Sequence, residues 1–289
     1  MNAAENKEGS EKAVCLPLAG GREARVVVVR RPRTVSTMDD MAAWFCARGT
    51  ELASGRADAV LVCADVQTGG RGSGTRAWCS VAGNLHCNVG VCQQRLGGWQ
   101  LCMLPLCAAV ALRRALCALV PACAAVLKLK WPNDVVDSRT GRKLAGMLLQ
   151  ASRGFFTVGV GVNIAAAPDA ALLLATRGPD ARQACCLAQL VERECGTNQE
   201  PGVATRVPSA EEVALRFCAC LLDLTAKTAA VKQQDVVDEW WQHRCLECPV
   251  FAREEPGVPL VPLGLTEQGL LRVLRPDGTA TTLVNNYLV

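Results

Sequence analysis

Three features of the sequence predict an α+β fold, a mostly antiparallel sheet with flanking helices. First, apolar and β-branched runs at 25–30 (RVVVVR), 59–64 (AVLVCA), 126–131 (VLKLKW), 143–150 (KLAGMLLQ) and 155–164 (FFTVGVGVNI) read as buried strands. Second, the runs between 126 and 164 follow one another through connections too short for a helical crossover, which favours hairpins. Third, only two helical stripes accompany these strands, so the segments do not alternate strand and helix as a parallel sheet requires.

Taken in order, the strand at 25–30 is preceded by residues 1–24, expected to be a flexible extension. Ser36 and Thr37 can cap a helix whose apolar positions are Met38, Met41, Ala42 and Phe45, with Gly49 as its end. The strand at 59–64 leads into QTGGRGSGTRAWCS at 67–80, too rich in glycine and arginine for a regular element. A strand at 84–91 follows, then a helix over 101–119 with Leu101, Leu104, Ala108, Leu112, Leu116 and Leu119 on one face. The strands at 126–131 and 143–150 are joined by a polar turn at 137–142. A helix around 181–195 comes next, then a connector. Ser209 and Glu212 form a capping box before the stripe Val213, Phe217, Cys220, Leu221 and Leu224. From Pro249 onward, short apolar runs cut by proline and glycine predict a small β appendage. The division expected is a catalytic domain over 25–245 and a β domain over 246–289.

Composition excludes several classes. Half of the 289 residues are hydrophobic and 20% are charged, which supports a buried core and excludes a disordered chain. Thirty-one basic against 27 acidic side chains give a charge of +4, too thin a field to expect a nucleic-acid partner. The longest nearly unbroken apolar run, 101–112, falls short of the roughly 18 residues a membrane span needs, so no membrane partner is expected. The amino terminus mixes Glu5, Glu8 and Glu11 with Lys7 and Lys12 and does not read as a secretion signal. The 17 cysteines are therefore expected in a reducing cytoplasm, as small buried apolar groups rather than disulfides.

Two constellations carry chemistry. In Gly69–Arg76, glycines let backbone N–H groups approach an anion while Arg71 and Arg76 add planar forks of donors; a surface loop with scattered charge is the plain alternative. The spacing is neither that of a P-loop nor of a dinucleotide fingerprint. The second is Lys130, Trp131, Pro132, Asn133 and Asp134, followed by Lys143 to Gly146. So many polar groups beside apolar strands point to a bound polar ligand, although each residue alone could be an ordinary strand or turn position.

In this order and at these intervals, QTGGRGSGTRAW, KWPNDVV, GRKLAGMLLQ and VGVGVNI closely resemble the biotin protein ligases, over about residues 25 to 289. The resemblance implies a catalytic domain related to class II aminoacyl-tRNA synthetases and lipoate ligases, with an SH3-like carboxyl-terminal domain. It implies that biotin's carboxylate attacks the α-phosphate of ATP, giving biotinyl-5′-AMP, and that a lysine of a biotin carboxyl carrier protein then takes the biotinyl group. Lys143 and Arg71 match the catalytic positions, which must neutralise the charge that develops when two anions meet. Ser36, Thr37, Gln67, Gly70, Arg71 and Lys143 match biotin-binding positions. Gly72, Ser73, Arg76, Trp78, Lys130, Asn133 and Asn163 match those for ATP or the adenylate, with Asn163 toward adenine. Mg²⁺ is expected with ATP, its protein ligands unassigned. A homodimer through a sheet edge is known among relatives and stays open. Only about 24 residues precede the first strand, too few for the operator-binding winged helix of some relatives, so no repressor role is expected.

The chain departs from the family pattern in three places. Met38 stands where an asparagine is common, Ser73 and Gly74 stand where arginines are usual, and Leu283 to Tyr287 differ from the usual tail turn. The thinner arginine loop predicts weaker retention of the adenylate. Three rival readings remain: a zinc or redox site at His243, Cys245 and Cys248, a lipoate or octanoate ligase on the same fold, and a biotin-binding module without turnover. One C-x-x-C without a second disfavours structural zinc.

Overall fold

The computed structural model describes residues 9–74, 76–96, 99, 101–177, 183–196, 206–225, 231–251 and 257–283. Its first strands, β1 (Ser10–Pro17) and β2 (Glu23–Thr34), pair antiparallel from Ser10 against Arg30 to Pro17 against Glu23. The expected flexible extension over 1–24 is thus corrected from Ser10 onward. Val14 and Leu16 alternate toward the core while Lys12 pairs with Glu211, which is enough to hold an edge strand in register. Residues 1–8 lie outside the described residues.

Helix α1 (Thr37–Ala53) connects β2 to β3 (Ala59–Gln67), and this crossover makes β2 and β3 the parallel pair of an otherwise antiparallel sheet. Ser36 caps α1: its backbone is extended, its hydroxyl accepts from Met38 N at 3.3 Å, and Asp39 and Asp40 in the first turn favour the positive helix end. The helix does not stop at Gly49 as the sequence suggests. A Cβ there would lie 2.8 Å from the Phe155 ring, so this glycine serves close packing rather than termination.

The central strand β4 (Leu85–Cys92) is buried along its length, and α2 (Leu104–Leu119) follows it. Next come β5 (Leu127–Lys130), β6 (Asp134–Asp137), β7 (Lys143–Ser152) and β8 (Phe155–Val162), antiparallel hairpins as expected. The sequence reading missed β6, whose two aspartates look like turn residues. The β7–β8 turn holds Arg153 at φ 51° and Gly154 at φ 81°, the left-handed pair that a tight two-residue hairpin demands. Strand order is β1-β2-β3-β4-β8-β7-β6-β5.

Alternation in β2 divides the two faces. Val26 and Val28 join the large core with α2 and with α5 (Ala210–Thr225), whereas Val27 and Val29 pack beneath α1 against Met41, Trp44 and Leu52. Between α2 and α5 in sequence lie α3 (Ala170–Arg177), which the sequence reading missed, and α4 (Leu187–Gly196). The helix expected from Ala181 begins only at Leu187, and Ala181 itself lies outside the described residues. Ser209 and Glu212 bond reciprocally, at 2.8 and 3.2 Å, as the capping-box spacing requires. Residues 101–119, including the turn before α2, are long and apolar enough by composition to cross a membrane, contrary to the sequence estimate; 72% of that segment is buried inside the protein, as a core helix is.

Helix α6 (Gln233–Gln242) leads to a second sheet of β9 (Val250–Phe251), β10 (Pro259–Leu265), β11 (Leu271–Leu274) and β12 (Ala280–Leu283), all antiparallel. Its small core of Leu260, Leu271 and Val273 is completed by Trp131 and Trp241 from the first unit. The divergent tail turn lies, beyond Leu283, outside the described residues.

One buried ionic knot ties α4 to the sheet. Asp137, almost fully buried in β6, accepts two bonds from Arg193 at 2.9 Å, one from Thr140 at 2.6 Å and one from Arg139 N at 3.2 Å. Burial alone would raise its carboxyl; these donors together hold it below the ordinary carboxylate range. Because the fold favours the ionised form, this contribution is complete above the ordinary pKa of about 4 and vanishes as pH falls through the lower folded value. We expect Asp137→Asn to cost roughly 2–3 kcal/mol in urea unfolding at pH 7. The cost should shrink toward zero as both proteins are brought to acid pH, and a pH-independent difference would contradict the ionic assignment.

Candidate active site

A cleft of about 180 Å³ opens on the α1 side of the sheet, where β7 and β8 carry glycine instead of side chains. Gly146, Gly159 and Gly161 form its floor. A Cβ on Gly161 would fall within 2.7 Å of Trp78 Nε1 and closer still to the ring carbons. One on Gly146 would meet Lys143 Nζ at 2.6 Å, and one on Gly159 would touch Met38 at 3.7 Å. Trp78 and Lys143 therefore lie over positions where a Cβ would collide, while Met38 packs beside Gly159 at ordinary contact distance. The sequence reading named Gly146 but did not single out Gly159 and Gly161; the signal was their spacing of two in VGVGV, which keeps them on one face of a strand.

Lys143 reaches this face through an irregularity. Asp134 pairs with Gly146 and Val135 with Ala145, but Val136 pairs with Lys143, so one residue of β7 is bulged out between Lys143 and Ala145. In a regular strand Lys143 and Gly146, three residues apart, would point to opposite faces; the bulge re-aims the lysine. Its ammonium sits 2.6 Å from Asp134 Oδ1 and 5.7 Å from the centre of the Trp78 ring, within cation–π range.

The glycine-rich loop is a folded turn. Trp78 N donates to Gly70 O at 2.9 Å, Gly72 N to Arg76 O at 2.7 Å, and Arg71 bridges to Ala77. Arg76 curls onto the loop, donating to Ser73 O at 3.2 Å and to the Ser73 hydroxyl. Arg71 reaches Asp39 Oδ1 on α1 at 2.5 Å, and with its side chain 48% exposed this pair is worth roughly 0–1 kcal/mol, readily exchanged for another anion. Asp39 was not anticipated from the sequence.

On the opposite wall, Gln67 Oε1 accepts from Thr37 N at 2.9 Å and Thr37 Oγ1 at 3.1 Å, which leaves its amide NH₂ as a donor. Gln67 N donates to Ser80 Oγ, which stands 3.5 Å from His86 Nδ1; burial lowers the His86 pKa and keeps the ring neutral. Ser36, Thr37, Gln67, Arg71, Gly72, Ser73, Arg76, Trp78, Lys130, Asn133 and Lys143 all line the cleft.

Four of the expected ligand residues are also engaged within the protein. Asn133 donates to Met147 O and accepts from Met147 N at 3.2 Å, and Lys130 Nζ donates to Pro249 O at 2.9 Å, so both hold the Trp131-Pro132 turn in place. Gly70 stands behind the wall, its carbonyl engaged by Trp78. Asn163, 2% exposed, lies beyond Trp78 and Lys143 in a separate small depression with Leu173 and Ala184, its amide donating to Cys185 O at 3.1 Å. Trp131 is a packing anchor whose indole N–H donates to Gly269 O at 3.2 Å.

Residues 48–165 match the model of the biotin/lipoate A/B protein ligase family. The chain is 34% identical over 156 residues to the biotin–[acetyl-CoA-carboxylase] ligase of Mycobacterium tuberculosis, covering 52% of this chain and 53% of that one. It is 40% identical over 129 residues to the enzyme of the same name from Paracoccus denitrificans, covering 43% and 52%. The chain thus spans about half the length of these curated relatives. Biotin protein ligase from Leishmania major, solved in complex with biotinyl-5-AMP, superposes with a TM-score of 0.64 at 26% identity, over 89% of this chain and 98% of that one. The fold is also that of the Aquifex aeolicus biotin protein ligase solved with biotin and ATP, with a TM-score of 0.62 at 18% identity over 90% and 96% of the two chains.

The glycine floor generates a coupling test. Gly161→Ala is expected to destabilise the fold by about 1–3 kcal/mol through its collision with Trp78. The same substitution in a Trp78→Ala background should cost under half of that. Equal costs in the two backgrounds, measured by urea unfolding, would show that the indole does not occupy this space.

Proposed function

We propose that this chain, whose residues 48–165 belong to the biotin/lipoate A/B protein ligase family, is an ATP-dependent biotin protein ligase that forms biotinyl-5′-AMP and passes biotin to a lysine of a biotin carboxyl carrier protein. The observation that carries this reading is the bulge-directed ammonium of Lys143, poised above a side-chain-free floor and opposite the Arg71 loop.

In the first step a carboxylate oxygen of biotin forms a bond to the α-phosphorus of ATP, and pyrophosphate departs with the electron pair of the broken P–O bond. In the second, the carrier's lysine nitrogen attacks the acyl carbon, AMP leaves, and the nitrogen's proton is lost to solvent or base. No nucleophile of the enzyme takes part; the protein lowers the barrier by holding two anions together and balancing their charge. Lys143 suits this because an ammonium has three donors and can keep Asp134 while binding a substrate oxygen. Arg71 can exchange its exposed Asp39 pair for a phosphate or carboxylate. The Gln67 amide and the Ser36–Thr37 turn offer donors and acceptors to the ureido ring of biotin, whose flat bicycle fits against the glycine floor. The nucleotide's adenine is assigned to the Asn163 side of Trp78.

Among the described residues no three His, Cys, Asp or Glu side chains cluster as a metal cage. A Mg²⁺ arriving with ATP would be held mainly by the nucleotide's phosphates and water, with Asp134 or Asp39 the carboxylates within the site's reach. When bound, Mg²⁺ would screen phosphate charge. We read the four-stranded antiparallel sheet as an SH3-like domain, and a reducing cytoplasm as the compartment.

Transfer of labelled biotin to a carrier domain in the presence of ATP tests the reading. Lys143→Ala is expected to reduce biotinyl-AMP formation by about 10²-fold or more while biotin still binds. Biotin binding without adenylate formation in the unaltered chain would make it a binding module, and preferential use of lipoate would move it to the sister activity. Because serine stands where relatives carry arginine, Ser73→Arg is expected to slow release of biotinyl-AMP about fivefold, corresponding to about 1 kcal/mol. Identical release rates would remove Ser73 as the cause of a loose loop.

A further inference from the structure

We propose that Cys245 and Cys248 form an oxidisable dithiol, a modification site in the connector between the two sheets that is separate from the ligand cleft. None of the 17 cysteines forms a disulfide in this structure, yet Cys245 Sγ lies 2.8 Å from Cys248 Sγ and donates to it. The C-x-x-C spacing brings the two sulfurs together within one turn of chain. They face Val136 of β6, and a Cβ on Gly141 in the β6–β7 turn would lie 3.9 Å from Cys248 Sγ.

The surroundings fix the pair without sealing it. The segment before it is hydrogen-bonded to β5, with Leu129 N donating to His243 O at 2.8 Å and Cys245 N to Leu129 O at 2.7 Å. The segment after it is held by Lys130 Nζ on Pro249 O. Between these anchors the two intervening residues, Leu246 and Glu247, are exposed, while Cys245 and Cys248 are 9% and 6% exposed. The two sulfurs thus lie directly beneath an exposed two-residue turn.

The other buried cysteines differ. In the buried Cys123 and Cys185, burial pushes each thiol up to about 12 and keeps it protonated. Cys245 is also held protonated, by its bond to Cys248, by burial and by the nearby Glu247 carboxylate. The close approach of the sulfurs lets one resolve what the other forms, and the attack is assigned to Cys248, which accepts the Cys245 S–H. Zinc is a poorer fit, because the pair supplies two ligands where a structural site needs four.

The oxidant proposed is a hydroperoxide. The Cys248 thiolate attacks the peroxide oxygen of H₂O₂, breaking the O–O bond and leaving as a sulfenic acid with release of hydroxide. The Cys245 sulfur then displaces the sulfenic oxygen, and the proton from its thiol completes the departing water. The balance is two thiols and one H₂O₂ giving one disulfide and two waters. Reduction by a dithiol reverses it.

The test uses the full chain with hydrogen peroxide near stoichiometry, followed by alkylation and peptide mapping. We expect one intrachain link between Cys245 and Cys248, a loss of two hydrogens, that is absent from Cys248→Ser and disappears with dithiothreitol. Recovery of both residues as alkylated thiols, after the exposed Cys15 and Cys46 have been oxidised, would overturn the proposal. So would one equivalent of zinc bound by the purified chain and lost in Cys245→Ser. If the Cys248→Ser chain proves unstable, the mapping of the unaltered chain decides alone.

Discussion

The cleft depends on an absence: three positions on one face of adjacent strands where no side chain projects. A β-sheet face ordinarily presents a side chain at every second residue, and a helix or loop packs on that layer at a distance set by it. Here Gly146, Gly159 and Gly161 remove the layer, so Lys143 and Trp78 descend onto the backbone itself. The indole and the ammonium then meet each other, and the loop that carries Trp78 is drawn over the sheet through the bond from Trp78 N to Gly70 O. The position of the arginine turn is thus a consequence of the floor, and Arg71 reaches α1 because that turn is held there.

A second constraint follows from the bulge in β7. Lysine is costly to bury beside apolar strands unless its charge is met, and the misregister both turns Lys143 to the cleft and sets it against Asp134 on the neighbouring strand. The Trp131-Pro132-Asn133 turn just before β6 is fixed from three sides, by Met147, by Pro249 and by Gly269. Lys130 and Asn133, which line the cleft, therefore also carry positional information: they fix where β6 begins, hence where Asp134 stands, hence where the ammonium of Lys143 is held. The second sheet enters the same chain of cause through Trp131, whose indole completes its small core.

Much of this was legible in the sequence where one physical signal dominates. The β-branched runs gave the buried strands, the short links gave the hairpins, and Ser209 with Glu212 gave a helix start, because in each case a local pattern decides the outcome. The site was legible as a set of polar residues gathered by motif, and most of them do converge on one cleft. What was not legible had its cause elsewhere in the chain. Residues 10–17 are strand because β2 offers an edge, not because of their own composition. Gly49 looks like a helix terminator and is a notch for Phe155, a ring 106 positions away. Asn163 stands at a strand end as its motif suggests, but the bond from its amide to Cys185 O depends on a residue 22 positions on.

The departures from the family pattern also acquire a physical meaning. Met38 rests beside Gly159 and lines the cleft with a thioether, an adaptable apolar contact. Ser73 does not leave a gap: its hydroxyl and carbonyl hold the Arg76 guanidinium against the loop's own backbone. In a loop with several arginines, mutual repulsion is relieved when an anionic ligand arrives, so closure is coupled tightly to binding. Here the one cation beyond Arg71 is already satisfied locally, and ligand arrival must displace a serine rather than relieve a repulsion. The Arg76 guanidinium must therefore leave Ser73 before it can serve another anion, whereas Arg71 has only its exposed Asp39 pair to exchange.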